Sequence, residues 1–248
     1  GLAAWRPALG RSGAELAAVL ARRDFRDAVR NELASAATFR LFNNEWHKVH
    51  VVEVAKPEHA HFEQRTIAEI ARDAGRDPLD VMLDLALAED LRTVFTAQLL
   101  NSDEDAVGRM LTHPHSIVSL SDAGAHLTFF NDAGFGLHLL GHWARERGTL
   151  TIAEAVRRIT SHPARVFGMQ DRGMLREGYA ADLLLFDPLQ VGRGPKKRVF
   201  DLPGGAARLT TDAVGVHGVW VNGRQVADSH GMVPNPPLAG TLLTEFSA

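Results

Sequence analysis

One stretch near the middle of the chain, residues 116–126, constrains the fold more than any other. Its apolar, β-prone run from Ile117 to Leu120 breaks at Ser121 and Asp122, and Gly124 follows. This pattern is typical of a buried strand whose last polar residues face a cavity while the backbone turns sharply. In a (β/α)8 barrel the active site forms at the carboxyl ends of the strands, which would place Asp122 in it. The same letters also suit an ordinary turn, and both interpretations stay open at this point.

The composition excludes several classes of protein. A net charge of -3 and a single short basic run, residues 196–198, give no reason to expect a nucleic-acid partner. We find neither a signal peptide nor an apolar run long enough to cross a membrane, so we expect no membrane partner. The absence of cysteine removes disulfides, thiolate metal ligands and cysteine nucleophiles, and it suits a cytoplasmic protein. Because the chain begins with Gly1 rather than Met, we expect a processed or truncated piece of a longer protein.

The first part of the chain alternates between helical and strand patterns. Apolar residues at three-and-four spacing predict a helix over residues 13–34, and an apolar alternation predicts a strand over 46–54. Thr66-Ile-Ala-Glu69 is a capping box that begins a helix, which we expect to end at Gly75. Asp77-Pro78 then begins the next helix. The polar residues at 102–105 predict one more helix, and residues 93–99 fit either a short strand or a helical turn.

The sequence pattern changes from helical to strand and turn near residue 173. Thr151-Ile-Ala-Glu154 repeats the first capping box letter for letter and opens another helix, which we interpret as shared capping chemistry rather than duplication. Beyond it, residues 181–186 predict a buried strand, and Asn222-Gly223 is a strong hairpin signal after a strand over 214–221. The chain is therefore predicted to be α/β, with alternating elements to about residue 170 and a small all-β module after them.

Candidate chemistry narrows to Asp122 by elimination. His59-Ala-His61 and His113-Pro-His115 have a spacing that can bind zinc, but one lies in a loop and the other at a helix end. His138 and His142 share an apolar stretch and fit a packed helix better than a metal site. The glycine motifs of dinucleotide and phosphate binding and the serine-hydrolase elbow are all absent from the sequence. We expect Ser121 and His126 to share the cavity of Asp122.

The order of the motifs resembles one family. Ser121-Asp-Ala-Gly-Ala-His126 is followed by residues 150–156, 160–168, 172–187 and 219–223 in a series similar to the C-terminal half of the amidohydrolase superfamily. Asp201-Leu-Pro-Gly-Gly205 narrows the resemblance to the N-acyl-D-amino-acid deacylase, or D-aminoacylase, group. The resemblance covers roughly residues 40–248.

This resemblance implies a metal-dependent hydrolase. Residues 1–172 would be the late strands and helices of a TIM-type (β/α)8 barrel, and residues 173–248 the small β module. Asp122 would be the catalytic general acid/base and would also touch the metal, as the matching aspartate does in many members. Ser121 and His126 would bind the substrate, a small N-acyl amino acid. Zinc activates water for such chemistry.

The family's other metal ligands have no counterpart in this sequence, and His59 and His61 fall in a segment that does not supply them. The resemblance therefore implies a C-terminal fragment that is inactive alone, with zinc and a missing N-terminal segment or chain completing the enzyme. Two alternatives remain: a cyclic amidase of the hydantoinase or dihydropyrimidinase kind, and a non-catalytic scaffold. Because part of a barrel would expose apolar strand edges, we also expect an oligomer.

Overall fold

The computed structural model describes residues 2–35, 40–125, 127–128, 133–236 and 238–246. The chain divides into two compact units, residues 1–102 and residues 103–248. Both units contain helices and strands, which agrees with the predicted α/β composition. The boundary expected between residues 172 and 173 separates a barrel portion from a β module, and it stays a prediction.

Helices supply most of the first unit. They are α1 (Gly13–Ala21), α2 (Arg23–Ala34), α3 (Ile67–Ala74) and α4 (Pro78–Ala88), with short 3-10 helices at Ala3–Ala8, Trp46–Lys48 and Pro57–Phe62. The single helix predicted over residues 13–34 is wrong in one respect, because Arg22 is extended (φ -71°, ψ 129°) and separates α1 from α2. The apolar spacing continues across this break, so periodicity alone did not reveal it.

Two strands form a small antiparallel sheet in the first unit. β1 (Val49–Glu53) pairs with β2 (Val94–Ala97), and Val51 lies opposite Phe95. The strand predicted over residues 46–54 is confirmed in its central part, and residues 93–99 form a strand rather than a helical turn. Val51 is fully buried, so the sheet contributes directly to the core of this unit.

Local capping chemistry begins and ends these helices as predicted. The Oγ1 atom of Thr66 accepts the Glu69 amide at 3.1 Å, and the Glu69 carboxylate accepts the Thr66 amide at 2.8 Å, which completes the capping box. Gly75 ends α3 in the left-handed conformation (φ 62°). Asp77 then caps α4 by accepting the Asp80 amide at 3.2 Å. These interactions depend on neighbouring residues alone, which is why the sequence predicts them.

The core of the first unit is made of aliphatic and aromatic side chains from its helices and from β1. Its fully buried members include Val29, Ile67 and Leu83. A cavity of about 290 Å³ opens beside this core and is lined almost wholly by apolar side chains, among them Trp5, Phe42, Trp46, Met82 and Phe95. No titratable side chain lines the cavity, so it supplies no acid or base.

Most helices of the second unit pack around one apolar cluster. The helices are α5 (Glu104–Thr112), α6 (Phe135–His138), which continues as a π-helix over Leu139–Glu146, α7 (Ile152–Ile159) and α8 (Ser161–Val166). The cluster consists of seven buried residues: Leu139, Leu140, Trp143, Ala144, Leu150, Ala155 and Val191. Side chains of α5, α6, the π-helix and α7 belong to this cluster or pack against it. Asp103 caps α5 by accepting the Ala106 amide at 2.9 Å, as the polar run at 102–105 predicts.

The strands of the second unit form two antiparallel sheets. They are β3 (Leu183–Phe186), β4 (Gly192–Leu202), β5 (Ala206–Val214), β6 (Val216–Val221), β7 (Arg224–Asp228) and β8 (Gly231–Met232). One sheet has the order β3-β6-β7-β8, and the other is the β4-β5 ribbon, whose connection includes a 3-10 helix at Pro203–Gly205. Asn222 and Gly223 join β6 to β7 with φ of 47° and 76°, which confirms the predicted hairpin.

Two predictions about strands are wrong. Residues 117–120 have no regular secondary structure, and Leu120 is 86% exposed, so this run is not a buried strand. A strand needs a hydrogen-bonded neighbour, and no described strand pairs with this run; every described strand pair is antiparallel, so the described residues contain no parallel barrel sheet. β3 does form, but Leu184 and Leu185 are 43% and 54% exposed because β3 lies at the edge of its sheet.

Candidate functional site

Asp122 lies on the surface of the second unit in a turn. Its carbonyl oxygen accepts the Ala125 amide at 3.0 Å, and Gly124 between them has a φ of 96°. The Asp122 side chain is exposed, and its carboxylate has no hydrogen-bond or ion-pair partner among the described residues. The turn interpretation of this stretch therefore describes the local backbone, and it leaves the carboxylate exposed to solvent.

Ser121 helps to shape this turn. Its Oγ accepts the amide of Ala123 at 3.2 Å, and the residue is half-buried. The hydroxyl hydrogen of Ser121 has no acceptor among the described residues and is available as a donor next to Asp122. His126, the third residue predicted for this site, lies outside the described residues. The structure thus brings Ser121 and Asp122 together, and the place of His126 stays a prediction.

The chain is held again just after the turn. The amide of Leu209, in β5, donates to the carbonyl of Leu127 at 2.9 Å. Leu209 is 4% exposed, so this hydrogen bond joins the segment to a buried point of the β4-β5 ribbon. Asp122 consequently lies a short distance upstream of a fixed position in the second unit.

The structure buries two charged residues that were not predicted from the sequence. Glu89 and Arg158 are the charged side chains that are buried among the described residues, with exposed fractions of 0% and 4%. Charged side chains are seldom buried unless they are paired, so each of the two is expected to have polar partners inside the protein. A signal for Arg158 was present in the sequence, because it lies four residues after Glu154 on the same helix. No comparable local signal pointed to Glu89, whose partners lie about 30 residues away.

Glu89 holds the 3-10 helix at Pro57–Phe62 to the end of α4. Its carboxylate accepts the amide of Lys56 at 3.0 Å, the amide of Ala55, and Nδ1 of His59 at 2.5 Å. Burial alone would raise the pKa of Glu89, but these hydrogen bonds outweigh it and lower the pKa. Because an ionised carboxylate only accepts, Nδ1 of His59 carries the proton. The pair is a structural anchor of the first unit.

A second histidine cluster lies at the junction of α5 and the π-helix. The rings of His138 and His142 stack with centroids 4.8 Å apart, which agrees with the packed helix predicted for them. Nε2 of His142 contacts Glu104 at 2.7 Å, and Nδ1 contacts Glu146 at 3.2 Å. Burial, with a smaller effect of Arg193 and His142, lowers the pKa of His138 to about 4, so this ring is neutral at pH 7. Both His142 nitrogens are occupied, which leaves none to bind a metal.

The described residues do not fit a zinc site. They contain no group of three or more His, Asp or Glu side chains that could hold a metal ion. Zinc sites in proteins take three or four such ligands, so the free carboxylate of Asp122 is insufficient by itself.

Comparison with known proteins assigns the chain to a family. A model of the amidohydrolase family matches residues 22–227, which is most of the chain. The chain belongs to the amidohydrolase family. This assignment confirms the family that the motif series resembles, and the match begins upstream of residue 40, where that resemblance begins.

Two curated relatives from Alcaligenes xylosoxydans xylosoxydans are deacylases by name. An N-acyl-D-aspartate deacylase is 32% identical over 162 residues, which cover 62% of this chain and 30% of the relative. A D-aminoacylase is 32% identical over 164 residues, 65% of this chain and 30% of the relative. The chain thus matches less than a third of the length of either relative.

Solved structures of deacylases also match. A D-aminoacylase mutant in complex with copper chloride is 25% identical with a TM-score of 0.43, covering 79% of this chain and 38% of the other. An N-acyl-D-glutamate deacylase from Bordetella bronchiseptica, complexed with zinc and a phosphonate inhibitor, is 27% identical with a TM-score of 0.38, covering 79% of this chain and 36% of the other.

None of the helices in the described part of the chain has the length and apolarity needed to cross a bilayer.

Proposed function

We propose that this chain is the C-terminal part of a metal-dependent amidohydrolase that removes the acyl group from N-acyl-D-amino acids. The family assignment and the deacylase relatives support the reaction class. The observation that carries the site is the carboxylate of Asp122, which is exposed in a turn beside Ser121 and has no partner among the described residues. A general acid/base needs such freedom, because a carboxylate engaged in a salt bridge is less available to accept a proton.

In this proposal Asp122 moves one proton during hydrolysis. Its carboxylate would accept a proton from the attacking water and pass it to the leaving nitrogen of the amide. The water oxygen adds to the acyl carbon as its proton moves to Asp122, and the C–N bond breaks as Asp122 delivers that proton to the nitrogen, so that the products are a carboxylic acid and a free D-amino acid. Ser121, together with His126, would hydrogen-bond to the substrate next to the reacting carbonyl.

The proposal includes zinc and a longer protein. Zinc, when bound, would activate the attacking water, and its ligands would come from a segment or chain other than the described residues. That part would also supply the remaining strands of the (β/α)8 barrel, to which residues 1–172 contribute late elements and residues 173–248 add the β module. The relatives match this chain over 30% of their own length, which supports a larger enzyme.

The intact mass of the natively produced protein, measured with its zinc content, tests this part of the proposal. We expect a mass near twice the 27.0 kDa of this chain, with bound zinc. A native mass that equals 27.0 kDa, without metal, would contradict the catalytic proposal.

Substitution of Asp122 tests the catalytic role in the native protein. General acid/base catalysis contributes about 10²- to 10⁴-fold, so Asp122→Asn should lower kcat by that factor against N-acyl-D-amino acids. The matched control is Asp105→Asn, at an exposed carboxylate of α5 that is paired with Arg147. Equal metal-dependent deacylation by the Asp122→Asn and wild-type proteins would exclude the assigned role.

A scaffold is the second candidate. It is favoured by the absence of a three-ligand metal group among the described residues. A native protein that binds no zinc and deacylates neither N-acyl-D-amino acids nor cyclic amides such as hydantoins would support the scaffold. Hydrolysis of the cyclic amides alone would instead identify a cyclic amidase.

A further inference from the structure

Two identical tetrapeptides in this chain use their glutamates differently. In Thr66-Ile-Ala-Glu69 the carboxylate turns back to the Thr66 amide and completes the capping box. In Thr151-Ile-Ala-Glu154 the threonine still caps, because its Oγ1 accepts the Glu154 amide at 3.1 Å. The Glu154 carboxylate, however, points along α7 and accepts Nε of Arg157 at 2.7 Å and Nε of Arg158 at 2.8 Å. The Glu154 carboxylate thus binds the side chains of Arg157 and Arg158 instead of completing a capping box.

Arg158 uses its other nitrogens to hold main-chain carbonyls. Nη2 donates to the carbonyl of Thr112 at 2.9 Å, and Nη1 donates to the carbonyls of His113 and Ser116 at 3.2 and 3.3 Å. These carbonyls belong to the last residue of α5 and to the turn that follows it, where carbonyls lack helical partners. The side chain of Arg158 is 4% exposed, so its charge is balanced by the Glu154 carboxylate and its other donors are satisfied by these three carbonyls rather than by water.

The turn held by Arg158 leads directly to Asp122. Ser116 precedes Asp122 by six residues, and the intervening residues form no helix or strand. Val118 packs against the apolar cluster of the second unit, whereas Leu120 is 86% exposed. Downstream of Asp122 along the chain, the hydrogen bond between Leu209 and Leu127 fixes the segment. The upstream end of this segment is therefore attached by Arg158, together with the Ser116 hydroxyl, which donates to the carbonyls of Met110 and His113.

We propose that Arg158 is a positioning residue for Asp122: its guanidinium, oriented by Glu154, fixes residues 112–116 and thereby the course of the segment that carries the catalytic carboxylate. This inference rests on the function proposed for Asp122. A planar guanidinium suits the task, because its rigid fork satisfies several carbonyls in one fixed geometry, which an ammonium group cannot do.

The first test is hydrogen exchange of the native protein, followed by mass spectrometry of peptides that cover residues 112–122. Arg158→Met should accelerate exchange in these peptides about tenfold or more, since it releases the carbonyl contacts. The matched control is Arg157→Met, because Arg157 pairs with the same Glu154 but is 42% exposed and contacts none of these carbonyls. Equal exchange at residues 112–122 in the two variants would overturn the proposal.

Arg158→Lys keeps the inference testable if Arg158→Met does not fold. Lysine retains the charge beside Glu154 but cannot reach all three carbonyls, so exchange should be intermediate between that of the wild type and that of a protein with no anchor. Wild-type exchange rates at residues 112–122 in Arg158→Lys would count against the anchoring role.

The second test is steady-state kinetics of the same variants in the zinc-loaded native enzyme. Misplacing a catalytic group by about 1 Å costs up to about 100-fold, so Arg158→Met should lower kcat 10- to 100-fold while KM changes less than about twofold. Arg158→Lys should recover part of kcat, and Arg157→Met should match the wild type. Faster exchange without a change in kcat would refute the positioning role.

The two tests separate this inference from the proposed function. If Asp122→Asn has no effect on deacylation, the function of Asp122 is wrong, and with it the catalytic part of this inference. The exchange experiment would still decide whether Arg158 anchors residues 112–116. If Asp122→Asn abolishes activity and Arg158→Met leaves kcat unchanged, the inference alone fails.

Discussion

At the scale of single residues, Glu89 shows how a buried charge organises a loop. Its carboxylate is fully buried and accepts two main-chain amides and Nδ1 of His59. These donors come from the chain after β1 and from the 3-10 helix that follows it, so one side chain fixes the course of residues 55–59. The amides of Ala55 and Lys56 would lose their acceptor without it.

Glu89→Gln is expected to destabilise the first unit. The amide keeps one oxygen, but its NH2 group faces donors, so a buried polar group is left unsatisfied at a cost of about 1–3 kcal/mol. Urea denaturation followed by circular dichroism measures the change in the free energy of unfolding. Asp90→Asn is the control, because Asp90 is the next residue and is exposed. Equal stability of the two variants would show that the buried hydrogen bonds contribute nothing measurable.

Glu154 gives a pH dependence with a definite sign. The hydrogen bond from Arg157 lowers its pKa, burial opposes this, and Arg158 lowers it further, so that the pKa falls from 4.5 to about 2. Since the folded pKa lies below the unfolded one, the stabilisation is complete above about pH 4.5 and is lost as the pH falls towards 2.

The wild-type protein should therefore lose more stability between pH 4.5 and pH 2 than Glu154→Gln, which has no carboxylate to protonate at this position. Urea denaturation at a series of pH values measures the difference. Glu177→Gln, at an exposed glutamate, serves as the control and should follow the wild type. Parallel curves for wild type and Glu154→Gln would contradict the assigned pKa.

At the scale of elements, the π-helix is held against the chain that enters β4. A Cβ atom placed on Gly141 would lie 2.6 Å from the carbonyl oxygen of Val191 and 2.9 Å from Cα of Gly192. Both contacts are with backbone, which cannot rotate away as a side chain does. Glycine at 141 thus permits the helix to approach the buried Val191 closely.

Gly141→Ala should lower the free energy of unfolding by about 1–3 kcal/mol, since the added methyl group forces the two backbones apart. Thermal and urea denaturation measure this loss. Gly136→Ala is the matched control on the preceding α6, where a Cβ would meet only Cδ1 of Ile159 at 3.7 Å. It should be neutral or slightly stabilising, because alanine favours a helix. A reversed order of stabilities would refute the close approach.

The sequence predicted those elements whose cause is local. The cap at Thr66, the end at Gly75 and the hairpin at Asn222-Gly223 depend on neighbouring residues, and all three are present. The run at residues 117–120 and the burial of β3 depend on partner strands, which no local pattern specifies, and both predictions failed. In the candidate site, the sequence predicts that Ser121 and Asp122 lie together at a turn or at the end of a strand. Arg158 was missed because its carbonyl partners lie more than 40 residues away.

At the scale of the whole molecule, the edge strand β3 presents apolar side chains and unpaired backbone groups. Leu183, Leu184 and Leu185 are 36%, 43% and 54% exposed, and β3 has β6 as its one neighbour in the described sheet. Such an edge is a template for pairing with another strand. A strand from the proposed longer protein or from a second copy of this chain would cover it.

We expect the 248-residue chain to self-associate through this edge. Light scattering should give a mass above 27.0 kDa, and Leu185→Lys, which places a charge on the edge, should lower it. Leu9→Lys is the control, because Leu9 is 65% exposed in the first unit and lies outside any strand. A monodisperse monomer of the unsubstituted chain would disprove self-association.

The anchor formed by Arg158 also bears on how such a protein can evolve. Its guanidinium binds the carbonyl groups of Thr112, His113 and Ser116, which every amino acid possesses. Substitution of the His115 side chain therefore leaves these acceptors in place, provided that the backbone keeps its path, whereas the Ser116 hydroxyl adds its own hydrogen bonds to the carbonyls of Met110 and His113. A change at Arg158, in contrast, removes all three carbonyl contacts at once.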